Sequence, residues 1–166
     1  MGHQLTETDI KKIKEEIEHR KLVVRPKALE DVKEARAHGD LSENFEYKAA
    51  KKFKNQNESR IRYLERMLRT SEVFVDESAE DEIGINNTVT VYFEDDDEEE
   101  VFKIVTSVRG DSLNNIITIE SPIGKALMGH KVGERVYIKV NDDFGYYVVI
   151  RNIEKTTDES EKIQRF

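Results

Sequence analysis

The sequence predicts an α+β protein: an N-terminal antiparallel α-helical coiled-coil hairpin, then an antiparallel sheet domain with one short helix. Three observations predict it. Apolar residues recur at three- and four-residue spacing up to about Leu68, whereas β-branched and aromatic runs of strand length begin at Thr88. A glycine turn separates two long stretches of helix formers. Charge divides with the period, because residues 1–76 carry 17 Lys and Arg against 15 Asp and Glu, while 77–166 carry 10 against 20. Two domains are expected, 1–75 and 76–166.

The first helix opens at Thr6, whose hydroxyl can cap the early amides while Asp9 completes a capping-box pattern three residues on. Ile10, Ile13, Ile17 and, after a polar Arg20, Val24 follow at heptad spacing. Pro26 has no amide hydrogen and should kink the helix near Arg25, after which Leu29, Val32 and Ala35 resume an apolar face.

In the second helix Tyr47, Ala50, Lys54, Asn57, Ile61, Leu64 and Leu68 keep the same alternation. The polar members Lys54 and Asn57 cost stability but can fix register between antiparallel partners. Phe53 and Tyr47 are expected to pack against the facing helix. About 31 residues per arm at 1.5 Å each give a rod of roughly 45 Å, too long for about 90 further residues to cover. Its tip must therefore project into solvent or into a partner.

Beyond residue 76, TVTVYF at Thr88–Phe93, then 101–105, 116–119, 136–140 and 146–153, read as strands. Val89, Val91 and Phe93 alternate with Thr88, Thr90 and Tyr92, as a half-buried strand requires. Ser121-Pro122 is an N-cap followed by proline at the first helical position, and Gly129 closes that short helix. The acidic run Glu94–Glu100 has nothing apolar to bury and reads as a solvated hairpin loop. The tail after Glu154 is polar and expected to fray, with Ile163 and Phe166 as its anchors.

Composition removes several function classes. The 166 residues include no cysteine, so disulfide scaffolds, Cys-based zinc sites and Cys nucleophiles are excluded. The mean hydropathy is −0.71, and no apolar run approaches the roughly 20 residues that span a bilayer. The N-terminal residues are too polar for a signal peptide. A cytoplasmic protein without membrane contact is expected. A net charge of −8 argues against bulk nucleic-acid binding, yet residues 48–69 hold eight basic side chains against two acidic ones.

Chemistry concentrates at the turn, Ala37-His38-Gly39-Asp40-Leu41-Ser42-Glu43-Asn44-Phe45-Glu46-Tyr47. Gly39 can take the positive φ that ends a helix, and Asp40 or Ser42 can cap the next. If the chain is helical from Leu41, Asp40 and Glu43 share a face. Two carboxylates at an exposed end suit Mg²⁺, which takes one or two protein carboxylates and keeps several waters. Taken alone, such a pair is more often a capping motif. Lys48, Lys51 and Lys52, with Arg36 across the hairpin, sit one to three turns behind. They form either a solvated face or a phosphate track.

The run EARAHGDLSENFEYKAAK resembles the loop between the two helices of the bacterial transcript cleavage factors, the Gre family of transcription elongation factors, nearer the GreA type. The likeness continues at Arg60-Ile61-Arg62-Tyr63-Leu64-Glu65, at Ser121-Pro122-Ile123-Gly124-Lys125-Ala126-Leu127-Met128-Gly129 and at Gly133-Glu134. It implies an FKBP-like second domain that binds RNA polymerase. It also implies a coiled coil that enters the polymerase secondary channel. There an acidic tip helps hold a catalytic Mg²⁺, and the polymerase, not the factor, cleaves backtracked RNA.

By position in the motif, Asp40 and Glu43 are the tip carboxylates and Ser42 a helper. Arg36, Lys48, Lys51 and Lys52 would face the phosphates of the nascent RNA 3′ end. The resemblance implies a monomer whose Mg²⁺ is shared with polymerase, since two exposed carboxylates give an incomplete shell. Phe45 departs from the family's small residue at that position. It keeps open an alternative, a channel regulator that binds without stimulating cleavage. A prolyl isomerase on the same fold commonly needs a tryptophan floor, and tryptophan is absent.

Overall fold

Residues 3–39 and 43–164 are described by a computed structural model. The chain divides into two units, Ile10–Ser71 and His3–Asp9 together with the chain from Glu72 onward. The charge and period change places its boundary after residue 75; by packing, the N-terminal segment and residues 72–75 go with the sheet.

Thr6 opens the first helix as its chemistry requires. Its hydroxyl accepts from the Asp9 N–H at 3.1 Å, and Asp9 Oδ2 accepts from the Thr6 N–H at 3.0 Å. Helix α1 then runs Glu7–His19. The kink expected at Arg25 takes another form. Arg20–Val24 makes a π-helical stretch in which the Arg25 N–H donates to the Arg20 carbonyl, and α2 (Arg25–Arg36) follows with its junction residues in right-handed helical conformation. Pro26 cannot donate, and its ring crowds the carbonyl four residues back; a wider turn accommodates both defects. The wider turn also shifts the helical phase. Uninterrupted heptad spacing from Val24 would turn Lys27, Asp31 and Glu34 inward; one residue on, Ala28, Val32 and Ala35 are buried instead. Of the residues expected on the resumed face, Val32 and Ala35 are inside while Leu29 is exposed.

Helix α3 (Phe45–Thr70) packs antiparallel to α2. Asn57, Ile61 and Leu64 are buried and Tyr47, Ala50, Lys54 and Leu68 half-buried, so the expected seam forms. Phe53 does not join it. It precedes seam position Lys54 by one residue, about 100° around the helix, and is exposed. The polar seam members are matched across the interface: Arg20 Nη1 donates to Asn57 Oδ1 at 3.0 Å, and Asn57 Nδ2 donates to the Arg20 carbonyl at 3.3 Å. Glu16 receives Arg60 at 2.9 and 3.2 Å and Arg20 at 2.7 Å. Burial opposes ionisation of Glu16, but these bonds and charges outweigh it and hold the carboxyl below its ordinary value. Such pairs are satisfied in one register only, which is how a polar seam specifies alignment.

In the other unit, β1 (Gln4–Leu5) pairs in parallel with β2 (Glu72–Val73), a two-residue ladder too short to show in periodicity. The main sheet holds β3 (Thr88–Phe93), β4 (Glu98–Val105), β5 (Ile116–Thr118), β6 (Arg135–Lys139) and β7 (Gly145–Glu154), ordered β5-β4-β3-β7-β6. It is antiparallel except at its edge, where β5 runs parallel to β4 after a crossover through residues 106–115. Helix α4 (Pro122–Leu127) starts as expected, with the Ser121 hydroxyl accepting from the Gly124 N–H at 3.1 Å. Val89, Val91, Phe102, Ile104, Leu127, Ile138, Val148 and Ile150 make the core.

Two expectations change here. The acidic run is loop only at its start, because Glu98, Glu99 and Glu100 pair in register with Phe93, Tyr92 and Val91. Antiparallel pairing satisfies their backbone while the carboxylates stay in water. The tail does not fray over its described length. Glu159 and Glu161 take Arg109 at 2.9 and 2.8 Å, Lys103 binds Asp158 and Glu161, and the Gln164 N–H donates to the Val108 carbonyl at 2.7 Å. Ile163 is half-buried, and Phe166 lies outside the described residues. No helix among the described residues is long and apolar enough to cross a membrane.

Candidate functional site

The hairpin end is built by short-range rules. Helix α2 stops at Arg36, the Ala37 N–H bonds back to Glu34 and Lys33, and the His38 N–H bonds to Ala35 at 3.2 Å. Gly39 then takes φ +135°, a positive value that an L side chain rarely adopts. Asp40 and Ser42, two of the three expected tip residues, lie outside the described residues.

Glu43 is exposed and sits in a turn ahead of the helix. Helix α3 starts only at Phe45, so the helical-face argument for pairing Glu43 with Asp40 does not apply as drawn. The cap of α3 is Asn44 and not Asp40 or Ser42: its Oδ1 accepts from the Tyr47 N–H at 2.9 Å. Its Nδ2 donates to the Ala35 carbonyl at 2.6 Å, so one amide ties the last turn of α2 to the first turn of α3. From sequence Asp40 or Ser42 is the expected cap and Asn44 is passed over, although asparagine is a good cap; the three-dimensional reach to Ala35 is what singles it out.

His38 and Glu46 close the same end at 3.0 Å. The Glu46 hydrogen bond, then its charge, raise the imidazole above its ordinary value. Arg36 lies 5.6 Å from the Tyr47 ring centroid and bonds its hydroxyl, which pulls the phenol below its ordinary value, with Lys51 adding to the effect. Lys48, Lys51 and Lys52 are exposed and line an open groove with Asn55, Gln56 and Ser59. Those last three residues were not singled out from sequence, although they continue the lysine spacing along one face. Lys48 Nζ also stands 5.6 Å from the Phe45 ring centroid.

An exposed carboxylate on a turn offers the hard oxygen that Mg²⁺ prefers, so Glu43 fits that ion as a ligand shared with another molecule. Behind it, three ammonium groups on one helix can meet successive phosphates.

These features define a protein with a helical hairpin carrying a charged working end, joined to a sheet domain. Two family models match its two parts: "Transcription elongation factor, N-terminal" over residues 3–73, and "Transcription elongation factor, GreA/GreB, C-term" over 78–155. A transcription elongation factor GreA of Caldanaerobacter subterraneus subsp. tengcongensis is 47% identical over 137 residues, covering 82% of this chain and 87% of the relative. One of Chloroherpeton thalassium is 44% identical over 147 residues, covering 88% and 93%. The crystal structure of GreA factor homolog 1 of Thermus thermophilus aligns over 93% of this chain and 100% of its own, with 23% identity and a TM-score of 0.44. The chain belongs to the GreA/GreB family of transcription elongation factors.

Proposed function

We propose that this protein inserts the end of its hairpin into the secondary channel of RNA polymerase and stimulates cleavage of backtracked nascent RNA, rescuing arrested complexes. The observation that carries the reading is the charge arrangement at the hairpin end: exposed Glu43 ahead of α3, then Lys48, Lys51 and Lys52 along its outward face. The polymerase is the catalyst and the factor lends ligands. Asp40 and Glu43 would hold Mg²⁺ jointly with polymerase carboxylates, and the ion, when bound, supplies an activated water and charge stabilisation at the scissile phosphate. Ser42 assists at the tip. Arg36 and the three lysines hold the RNA 3′ segment, and the sheet domain docks on the polymerase exterior. The factor works as a monomer in the cytoplasm.

The test is a stalled, backtracked elongation complex with labelled RNA. Wild type should shorten the RNA from its 3′ end. Asp40→Asn and Glu43→Gln keep shape while removing the charge a metal ligand carries, so each should still compete for polymerase yet lose most stimulation, partly regained at high Mg²⁺. A purely capping Asp40 predicts a nearly silent Asn variant. Binding by wild type without any cleavage would replace this reading with plain channel occupancy.

A further inference from the structure

Phe45 is the first residue of α3, and its side chain is 80% exposed. A lone exposed phenylalanine means little by itself. Its neighbours give it meaning. At 100° per residue, positions 45, 48, 52, 55, 56 and 59 fall within an arc of about 100°, on the side of α3 away from Asn57, Ile61 and Leu64. That arc carries in order an aromatic ring, two ammonium groups, two amides and a hydroxyl. The Lys48 ammonium already stands 5.6 Å from the ring centroid. The backbone that carries the ring is tied down, because Asn44 bonds both the Tyr47 N–H and the Ala35 carbonyl.

We propose that Phe45 is a stacking platform for the first RNA base extruded beyond the scissile phosphate, with Lys48 and Lys52 holding the phosphates that follow toward the 3′ end of a longer extruded strand. This rests on the polymerase reading above. An aromatic platform followed by a basic groove is what single-stranded nucleic acid needs, since every base has a π face and every linkage a charge. Lys48 and Lys52 are about 6 Å apart along the helix axis, comparable with the separation of successive phosphates in an extended strand. An apolar protein surface fits worse, because covering the ring would also strip water from both ammonium groups without giving them partners. Stacking makes Phe45 a positioning residue that sets preference for that base, while Asp40 and Glu43 serve the reaction itself.

The experiment places 2-aminopurine at the 3′ end of the RNA in a complex backtracked so that this nucleotide is the first beyond the scissile phosphate, and adds the protein. Wild type should quench the fluorophore, and Phe45→Trp should retain the quenching. Phe45→Ala and Phe45→Leu should both lose it, because leucine keeps the apolar bulk without the π face. In cleavage assays on matched complexes, Phe45→Ala should need on the order of tenfold more factor for half-maximal rate when the 3′ base is a purine. With an abasic 3′ nucleotide the difference from wild type should vanish. If Phe45→Ala matches wild type in both readouts while wild type cleaves normally, the platform is overturned and the cleavage reading survives. If Leu substitutes fully for Phe whatever the 3′ base, an apolar wall replaces it. If wild type quenches but never cleaves, the platform stands and the cleavage reading falls; with neither quenching nor cleavage, both fall.

Discussion

Charged residues appear in two settings in this molecule. In the sheet unit Arg109 and Asp9 are fully buried: Arg109 Nε donates to Asp9 Oδ1 at 2.6 Å, its other two nitrogens reach Glu161 and Glu159, and Asp9 Oδ2 takes the Thr106 hydroxyl at 2.6 Å. At the hairpin end Glu43, Lys48, Lys51 and Lys52 are all exposed. The same chemistry serves opposite purposes. A carboxylate buried among three donors is closed to an external ion, whereas a solvated one costs the fold nothing and stays available. Composition cannot separate the two sets; partners and burial do.

The largest effect that follows is on stability. Arg109→Met should leave Asp9 buried with only the Thr106 hydroxyl and the Thr6 N–H, costing about 3–5 kcal/mol in urea unfolding followed by tyrosine fluorescence. The tail ligands add a pH signature. Burial opposes ionisation of Glu161, but Lys103 and Arg109 overcome it and hold the carboxyl below its ordinary 4.5. The folded value is the depressed one, so this contribution is complete above pH 4.5 and is lost as pH falls through the folded value. A loss below about 1 kcal/mol for Arg109→Met would place the cluster in water and erase the contrast.

What sequence made legible was local. The Thr6–Asp9 box, the Ser121 cap and the strand cores each depend on residues within a few positions of one another, and they stand where expected. The buried cluster was invisible because Asp9 and Arg109 lie far apart along the chain, and Asp9 already had an adequate local explanation as a capping residue. Which of Ala28 and Leu29 joins Val32 and Ala35 inside depends on how the chain relieves Pro26, by a kink or by a wide turn, and both suit the same letters. At the candidate site, Glu43 and the lysines could be named from the motif, and they are exposed, as either a solvated face or a phosphate track requires. The bridging role of Asn44 needed the position of the Ala35 carbonyl.

The exposed set should behave in the opposite way to Arg109. Lys51→Glu combined with Lys52→Glu should change unfolding free energy by less than about 0.5 kcal/mol, since neither side chain is packed. Rescue of backtracked complexes should nevertheless weaken, and its dependence on log salt should flatten by about 0.7 for each phosphate the factor no longer neutralises. Identical rescue by variant and wild type across a salt titration would make the stripe a solvated face.

The smallest effect lies at the His38–Glu46 pair, which is exposed yet specific. The Glu46 hydrogen bond and charge raise the imidazole; desolvation opposes them weakly, and Glu34 on α2 adds a smaller attraction. Asp31, also on α2, lines the same surface groove. Because the folded value is the raised one, the stabilisation is fully present below 6.5 and is lost as pH rises through the folded value. An NMR titration of the His38 ring should therefore give a midpoint above 6.5 in wild type, moved back toward 6.5 in Glu46→Gln. Thermal stability should scarcely change between the two, because exposed pairs contribute little. Equal midpoints would mean that the clasp does not form in solution, leaving Asn44 as the tie between α2 and α3 at the working end.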